Sequence, residues 1–254
     1  MAVNLQRGGR ITSLRLDGHE LLDQGIGVND PSQENFVAAG AYGWDEMVPT
    51  VDPARYPGPS AWAGIELPDH GEAWRLPWSL LDETPSSATM ECSGIKLPWR
   101  LQRRLELNAR TVRVEYTYRN SGEHPMYAYW CSHILFRYLT GTVVEGVEGF
   151  VRPAAGTSSK LHLPPASSSR AGLAWRDGPA IEIAWDPALT PFVGVWACNG
   201  DLGGYHQIAI EPATGGNDHP DPAAPPPLLE PGEELEWWLE IRALVTAGHV
   251  QRAI

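Results

Sequence analysis

Residues 99–119 carry the pattern that most restricts how this chain can fold. Trp99, Leu101, Leu105 and Leu107 recur at every second position, with Arg103 the one exception. After Asn108-Ala109-Arg110, the residues Val112, Val114, Tyr116 and Tyr118 alternate with Thr111, Arg113, Glu115, Thr117 and Arg119. Successive side chains of a strand point to opposite faces, so a period of two gives each arm one apolar and one polar face. The stretch predicts an antiparallel hairpin with one face on a core and the other in water.

Other segments repeat this theme. Ile181, Ile183 and Trp185 alternate, Phe192 to Ala197 is a short apolar run, and Tyr205 to Ile210 leads into Glu211-Pro212. Glu234 to Leu244 sets Leu235, Trp237, Leu239 and Ile241 against Glu236, Glu240 and Arg242. Met126 to Phe136 is nearly all apolar and aromatic, which predicts a strand covered on both faces, with His133 inside it. Gly8 to Leu22 reads as an opening hairpin around an Asp17-Gly18 turn, and the proline- and alanine-rich residues 219–232 read as a long loop. With no amphipathic helix of ordinary length, the chain is expected to be all-β, and its 254 residues suit one large β domain over 1–254.

Charge and composition exclude several classes of partner. Lys and Arg number 19 against 31 Asp and Glu, and the net charge of -12 repels phosphate backbones and anionic lipid surfaces. Neither nucleic acid nor membrane is expected as a partner. Cys92, Cys131 and Cys198 are far apart and form no CxxC pair, so neither a disulfide framework nor a zinc knuckle is suggested. There is no apolar run of membrane-spanning length and no signal-peptide pattern at the amino terminus, so the expected location is cytoplasmic.

The chemistry-bearing residues are concentrated in a few places. Glu66 to Trp78 packs His70, the carboxylates Glu66, Asp69 and Glu72, Arg75, Trp74 and Trp78 around two prolines, as a functional loop would. Gly43-Trp44-Asp45-Glu46-Met47 is a second polar-aromatic cluster, expected to line a site. His133 is either a core histidine satisfied by a carbonyl or an imidazole whose proton affinity is tuned by an apolar wall. His70 is either a turn residue or a ligand-facing one. Glu211, at a strand end before Pro212, is either an ion-pair partner or a base with access to a pocket. A carboxylate and an imidazole around one cavity can act as base and acid on two oxygens of one substrate. The 11 tryptophans against 4 phenylalanines point to sugar faces, with Trp44, Trp62, Trp74, Trp78 and Trp130 near the polar candidates. Metal and nucleophile patterns are weak: the histidines give no His-x-His or HExxH spacing, and no G-x-S-x-G elbow is present.

In order along the chain, these features resemble the aldose 1-epimerases (mutarotases). The residues that carry the likeness are Gly8 to Leu14 with Gly18 to Leu22, His70-Gly71, Tyr118-Arg119-Asn120 with Pro125 ahead of His133, Ile210-Glu211-Pro212, and Leu229-Glu230-Pro231-Gly232-Glu233. The resemblance implies a galactose mutarotase-like β-supersandwich of mostly antiparallel strands and a cofactor-free reaction on a free aldohexose. Glu211 would take the anomeric proton, His133 would protonate the ring oxygen, and His70 would orient the sugar. Trp44, Asp45, Trp74, Arg75 and Trp130 are expected to contact it, in a monomer or homodimer. The sequence departs from the family pattern in places. Ile134 and Leu135 follow the second histidine where proline and an aromatic are usual. The aspartate that holds sugar hydroxyls falls by order on Asp177, Asp186 or Asp201. Trp74 stands where the hexose-phosphate branch carries arginine, with Arg75 one place on. A non-catalytic carbohydrate-binding protein on the same fold and a hexose-6-phosphate 1-epimerase are the alternatives.

Overall fold

The computed structural model describes residues 1–16, 18–27, 30, 32–176 and 178–244. Among these there is no helix, and the strands form two large sheets. The seven-stranded sheet runs Ala2–Asn4, Arg10–Ser13, Trp44–Met47, Cys131–Arg137, His206–Ala213, Phe192–Asn199, Thr157–His162. The eight-stranded sheet runs Val143–Glu145, Arg170–Ala174, Ala180–Trp185, Glu234–Leu244, Thr111–Asn120, Trp99–Asn108, Ser87–Ser93, Ser79–Thr84. All paired strands are antiparallel. The hairpin expected at 99–119 is its backbone, paired without slip from Trp99↔Asn120 to Asn108↔Thr111. Arg15–Leu16 pairs with His19–Glu20 as the opening hairpin requires, while Asp17 of its expected turn lies outside the described residues.

One large core lies between the sheets. Leu101, Val114, Ile183 and Leu239 from one sheet meet Ile11, Trp44, Phe136, Ile208 and Val195 from the other. Arg103, the exception in the alternation, keeps its inward parity and is fully buried. Its guanidinium donates to Glu46 Oε1 at 2.9 Å, and Tyr116 Oη at 3.0 Å and Trp130 Nε1 at 2.8 Å donate to the same carboxylate. Glu46 thus has three donors, which is what a charge taken out of water needs.

The outer face of the seven-stranded sheet carries a second, smaller core. Met47, Cys131, Leu135, Ala209 and Ala213 point outward from its strands and are covered by Phe36, Val51, Trp74, Tyr129 and Tyr205 from the loops. The expected loop at 66–78 begins with the short strand Glu66–Leu67 and turns sharply at His70 and Gly71, whose φ values are 57° and 70°. His70 N–H donates to Val51 O and Glu72 N–H to Val48 O, each at 2.6 Å. A Cβ on Gly71 would stand 2.2 Å from the Val48 carbonyl oxygen. Gly71→Ala is therefore expected to cost at least ~2 kcal/mol in a urea titration, from backbone strain and this clash, and to displace His70.

Candidate active site

Register on the outer face of the seven-stranded sheet places the site. Cys131↔Ala213 and Leu135↔Ala209 set His133 opposite Glu211. His133 also faces Asp45, Glu211 faces Gly194, and Gly194 faces His162. Residues directly opposite on neighbouring strands project to the same face. Asp45, His133, Glu211, Gly194 and His162 therefore form one row across five strands, with Leu135, Ala209, Trp196 and Lys160 in the next row.

Above these rows lies a cavity of about 390 Å³, large enough for a small ligand. His70, His133 and Glu211 all line it, together with Lys160, His162 and Asp218. His133 Nε2 lies 3.5 Å from Glu211 Oε1. Glu211 Oε1 and His133 Nδ1 are buried and have no hydrogen-bond partner among the described residues. His70 comes from the loop: its Nδ1 pairs with Asp69 Oδ1 at 2.9 Å, and its ring stacks on Phe36 at 4.3 Å and 13°. Asp69 is held by two further donors, Phe36 N–H at 2.7 Å and Asn35 Nδ2 at 3.2 Å. The His70 and His133 rings meet edge-on at 5.3 Å.

Lys160 was not singled out from the sequence, yet its Nζ donates to Glu211 Oε2 and lies 3.2 Å from Asp218 Oδ2. His162 Nε2 pairs with the same Asp218 oxygen at 3.1 Å. Gln207 also lines the cavity. It donates to Asp23 and to the Ala41 carbonyl, and its Oε1 has no partner among the described residues. Trp196 adds an aromatic wall. The sequence held only faint signs of this set: alternation in Thr157–His162 puts Lys160 and His162 on one face, and Asp218 stands beside His219. Neither pattern tells which face meets a cavity.

Electrostatics set the protonation states. Burial pushes the His133 pKa well below the ordinary imidazole value, and the charges of His70 and Lys160 add to this. Burial raises that of Glu211, against the opposing pull of Lys160. Burial would also raise Asp218, but the His162 hydrogen bond and the Lys160 charge outweigh it and hold its pKa at about 2. Burial would lower the pKa of Lys160, but the charges of Glu211 and Asp218 outweigh it and raise it, and the hydrogen bond to Asp218 raises that of His162. A carboxyl whose pKa is about 2 folded and near 3.8 unfolded contributes ~2 kcal/mol above pH ~4, lost as pH falls through ~2. Asp218→Asn is expected to lower unfolding stability by about that amount at pH 7, and the gap from wild type should close by pH ~2.

Several residues expected to contact a ligand are placed elsewhere. Trp44 and Trp130 are fully buried on the sandwich side of the sheet, where Trp130 donates to Glu46. Asp45 has the parity of His133, but both its oxygens are taken by Arg10, at 3.0 and 2.8 Å, and the guanidinium is covered by Tyr42 and Phe36. Trp74 is buried in the smaller core, with Nε1 donating to Asp69 O. Arg75 points outward past Trp74. None of the five lines the cavity. Asp186 and Asp201 bond within their own turns and to Ser158, Asp177 lies outside the described residues, and the cavity's aspartates are Asp52 and Asp218. Among the described residues no group of three or more His, Cys, Asp or Glu could hold a metal ion.

The architecture has clear relatives among solved structures. The Slr1438 protein of Synechocystis sp. PCC 6803 matches with a TM-score of 0.77 at 18% identity, over 95% of this chain and 90% of that one. A galactose mutarotase-like protein from Lactobacillus casei ATCC 334 matches with a TM-score of 0.71 at 15% identity, over 94% and 95% of the two chains. The chain has the galactose mutarotase-like fold. A candidate aldose 1-epimerase from Escherichia coli K12 shares that fold with a TM-score of 0.72 at 17% identity, over 95% and 94%. No family model matches the sequence, and no curated protein does. The all-β sandwich expected from the sequence is the observed one. Among the described residues no helix is long and apolar enough to cross a membrane.

Proposed function

We propose that this protein is an aldose 1-epimerase that interconverts the α and β anomers of a free aldohexose by acid/base ring opening. The observation that carries the reading is the convergence of His70, His133 and Glu211 on one open cavity, with Glu211 Oε1 unpartnered beside His133. Glu211 Oε1 takes the proton of the anomeric hydroxyl, the C1–O5 bond breaks as C1=O forms, and His133 gives a proton to the ring oxygen. Rotation about C1–C2 and closure with the roles reversed yields the other anomer and restores both groups. His70, braced by Asp69, orients the sugar, while Gln207 Oε1 and Trp196 are placed to meet a hydroxyl and an apolar face.

The productive form needs Glu211 ionised and His133 protonated. Burial raises the one and lowers the other, which brings the two titrations together, and the pair titrates as a unit. A bell-shaped pH profile is expected, its limbs belonging to the pair.

A neutral sugar is favoured over a phosphorylated one. No arginine lines the cavity among the described residues, and the Lys160 charge is neutralised by Glu211 and Asp218. The same ion pair on the base is the one feature that favours a sugar-binding protein without turnover. Polarimetry on freshly dissolved α-galactose or α-glucose tests all three readings. Faster decay of optical rotation supports the epimerase, tight binding without acceleration favours the binding protein, and acceleration only with a phosphorylated sugar favours the hexose-6-phosphate branch.

A further inference from the structure

We propose that Lys160 is a positioning residue for this ring opening: its ammonium occupies one oxygen of Glu211, fixes the carboxylate's rotamer and charge, and leaves Oε1 to take the substrate proton. The inference rests on the acid/base reading above. Lys160 is one row away from Glu211 and two strands across, since it faces Trp196 while Glu211 faces Gly194. It reaches the carboxylate by lying over Gly194, where no side chain intervenes. A Cβ on Gly194 would stand 2.8 Å from Glu211 Oε2, 2.9 Å from Lys160 Cε and 3.2 Å from its Nζ. The contact is thus built into the sheet by one missing methyl group.

The ammonium is held from both sides. Glu211 Oε2 and Asp218 Oδ2 share it, and Asp218 is fixed in turn by His162. With one carboxylate oxygen held, only Oε1 is free toward His133. Other titratable groups surround Glu211. His133, Cys131 and Tyr129 come from the strand beside it and the residues before that strand, His162 from the strand of Lys160, His70 and Asp52 from the covering loops, and Asp218 from the segment after its own strand. Lys160 and His70 favour the ionised carboxylate, and Asp218 opposes it. Lys160 also lowers His133, but without direct contact. Removing Lys160 therefore acts first on Glu211, which becomes harder to ionise in its buried position.

Lys160→Met, Lys160→Arg and Gly194→Ala separate charge from position. With an aldose that the wild type turns over, Lys160→Met is expected to lower kcat/KM about tenfold at the pH optimum and to move the limb that Glu211 governs up by about one unit. Lys160→Arg should restore the limb, and Gly194→Ala should move it in the Lys160→Met direction with every charge retained. In parallel, carbon NMR of protein labelled at the glutamate carboxyl, with Glu211→Gln to assign the signal, reads the Glu211 titration without any turnover. A higher midpoint in Lys160→Met supports the proposal, and an unmoved midpoint overturns it whether or not the protein turns over sugar. A moved midpoint in a wild type that accelerates no aldose overturns the epimerase reading and with it any role of Lys160 in catalysis.

Discussion

Glu211→Gln is expected to slow anomer interconversion by about 10²- to 10⁴-fold, the usual range for loss of a positioned general base. The amide keeps the shape of the side chain and an oxygen for Lys160, but neither of its atoms can accept the anomeric proton. Lys160 retains Asp218 at 3.2 Å as a counter-charge, so the substitution does not strand a buried ammonium. The thermal midpoint should therefore change little while the rate collapses, and sugar binding should survive. The measurement is polarimetric kcat and KM beside a thermal melt of the same sample. Retention of most of the wild-type kcat would remove Glu211 from the role of base.

The largest effect on stability is expected at Arg103, far from the cavity. Arg103→Met leaves Glu46 fully buried with Tyr116 and Trp130 as its remaining donors among the described residues. Breaking one side of a buried ion pair costs about 3–5 kcal/mol, because the remaining charge is uncompensated. Burial already raises the Glu46 pKa against the pull of Arg103, and without the guanidinium it rises further. A carboxyl whose folded pKa lies above its unfolded value is favourable below the unfolded pKa and loses that advantage as pH rises through the folded one. The deficit of Arg103→Met should thus be greatest at neutral pH and shrink on acidification, and Glu46→Gln in the same chain should recover part of it. Urea titrations at pH 7 and pH 5 read both effects. Equal deficits at the two pH values would show that the loss comes from packing and not from the stranded carboxylate.

The two positions differ in how far the sequence alone could foresee them. Arg103 interrupts an otherwise apolar face, and the alternation around it already marks that face as inward, so a buried cation was implied even though its partner was not. Glu211 and His133 stood out as polar groups within apolar strands. Trp44, Asp45 and Trp130 looked equally suited to a site, and there the sequence was silent on the decisive point. In a strand buried on both faces, polarity no longer tells inside from outside, so Trp44 and Glu46 cannot be told from Asp45 by pattern. Only pairing shows that Asp45 shares a face with His133, and only packing shows that Arg10 takes both its oxygens.

Local alternation and turn residues were enough to determine an all-β chain, because strand periodicity is written along the backbone and needs no partner strand to be read. The tertiary structure decided which face of the seven-stranded sheet carries the cavity, and that Lys160, His162 and Asp218 join Glu211 there. Those contacts depend on register between strands and on loops folding over the sheet. The pairing of Lys160 with Glu211 further depends on Gly194 between them having no side chain. Contacts of this kind join residues 51 positions apart in the chain, and no local pattern encodes such a meeting.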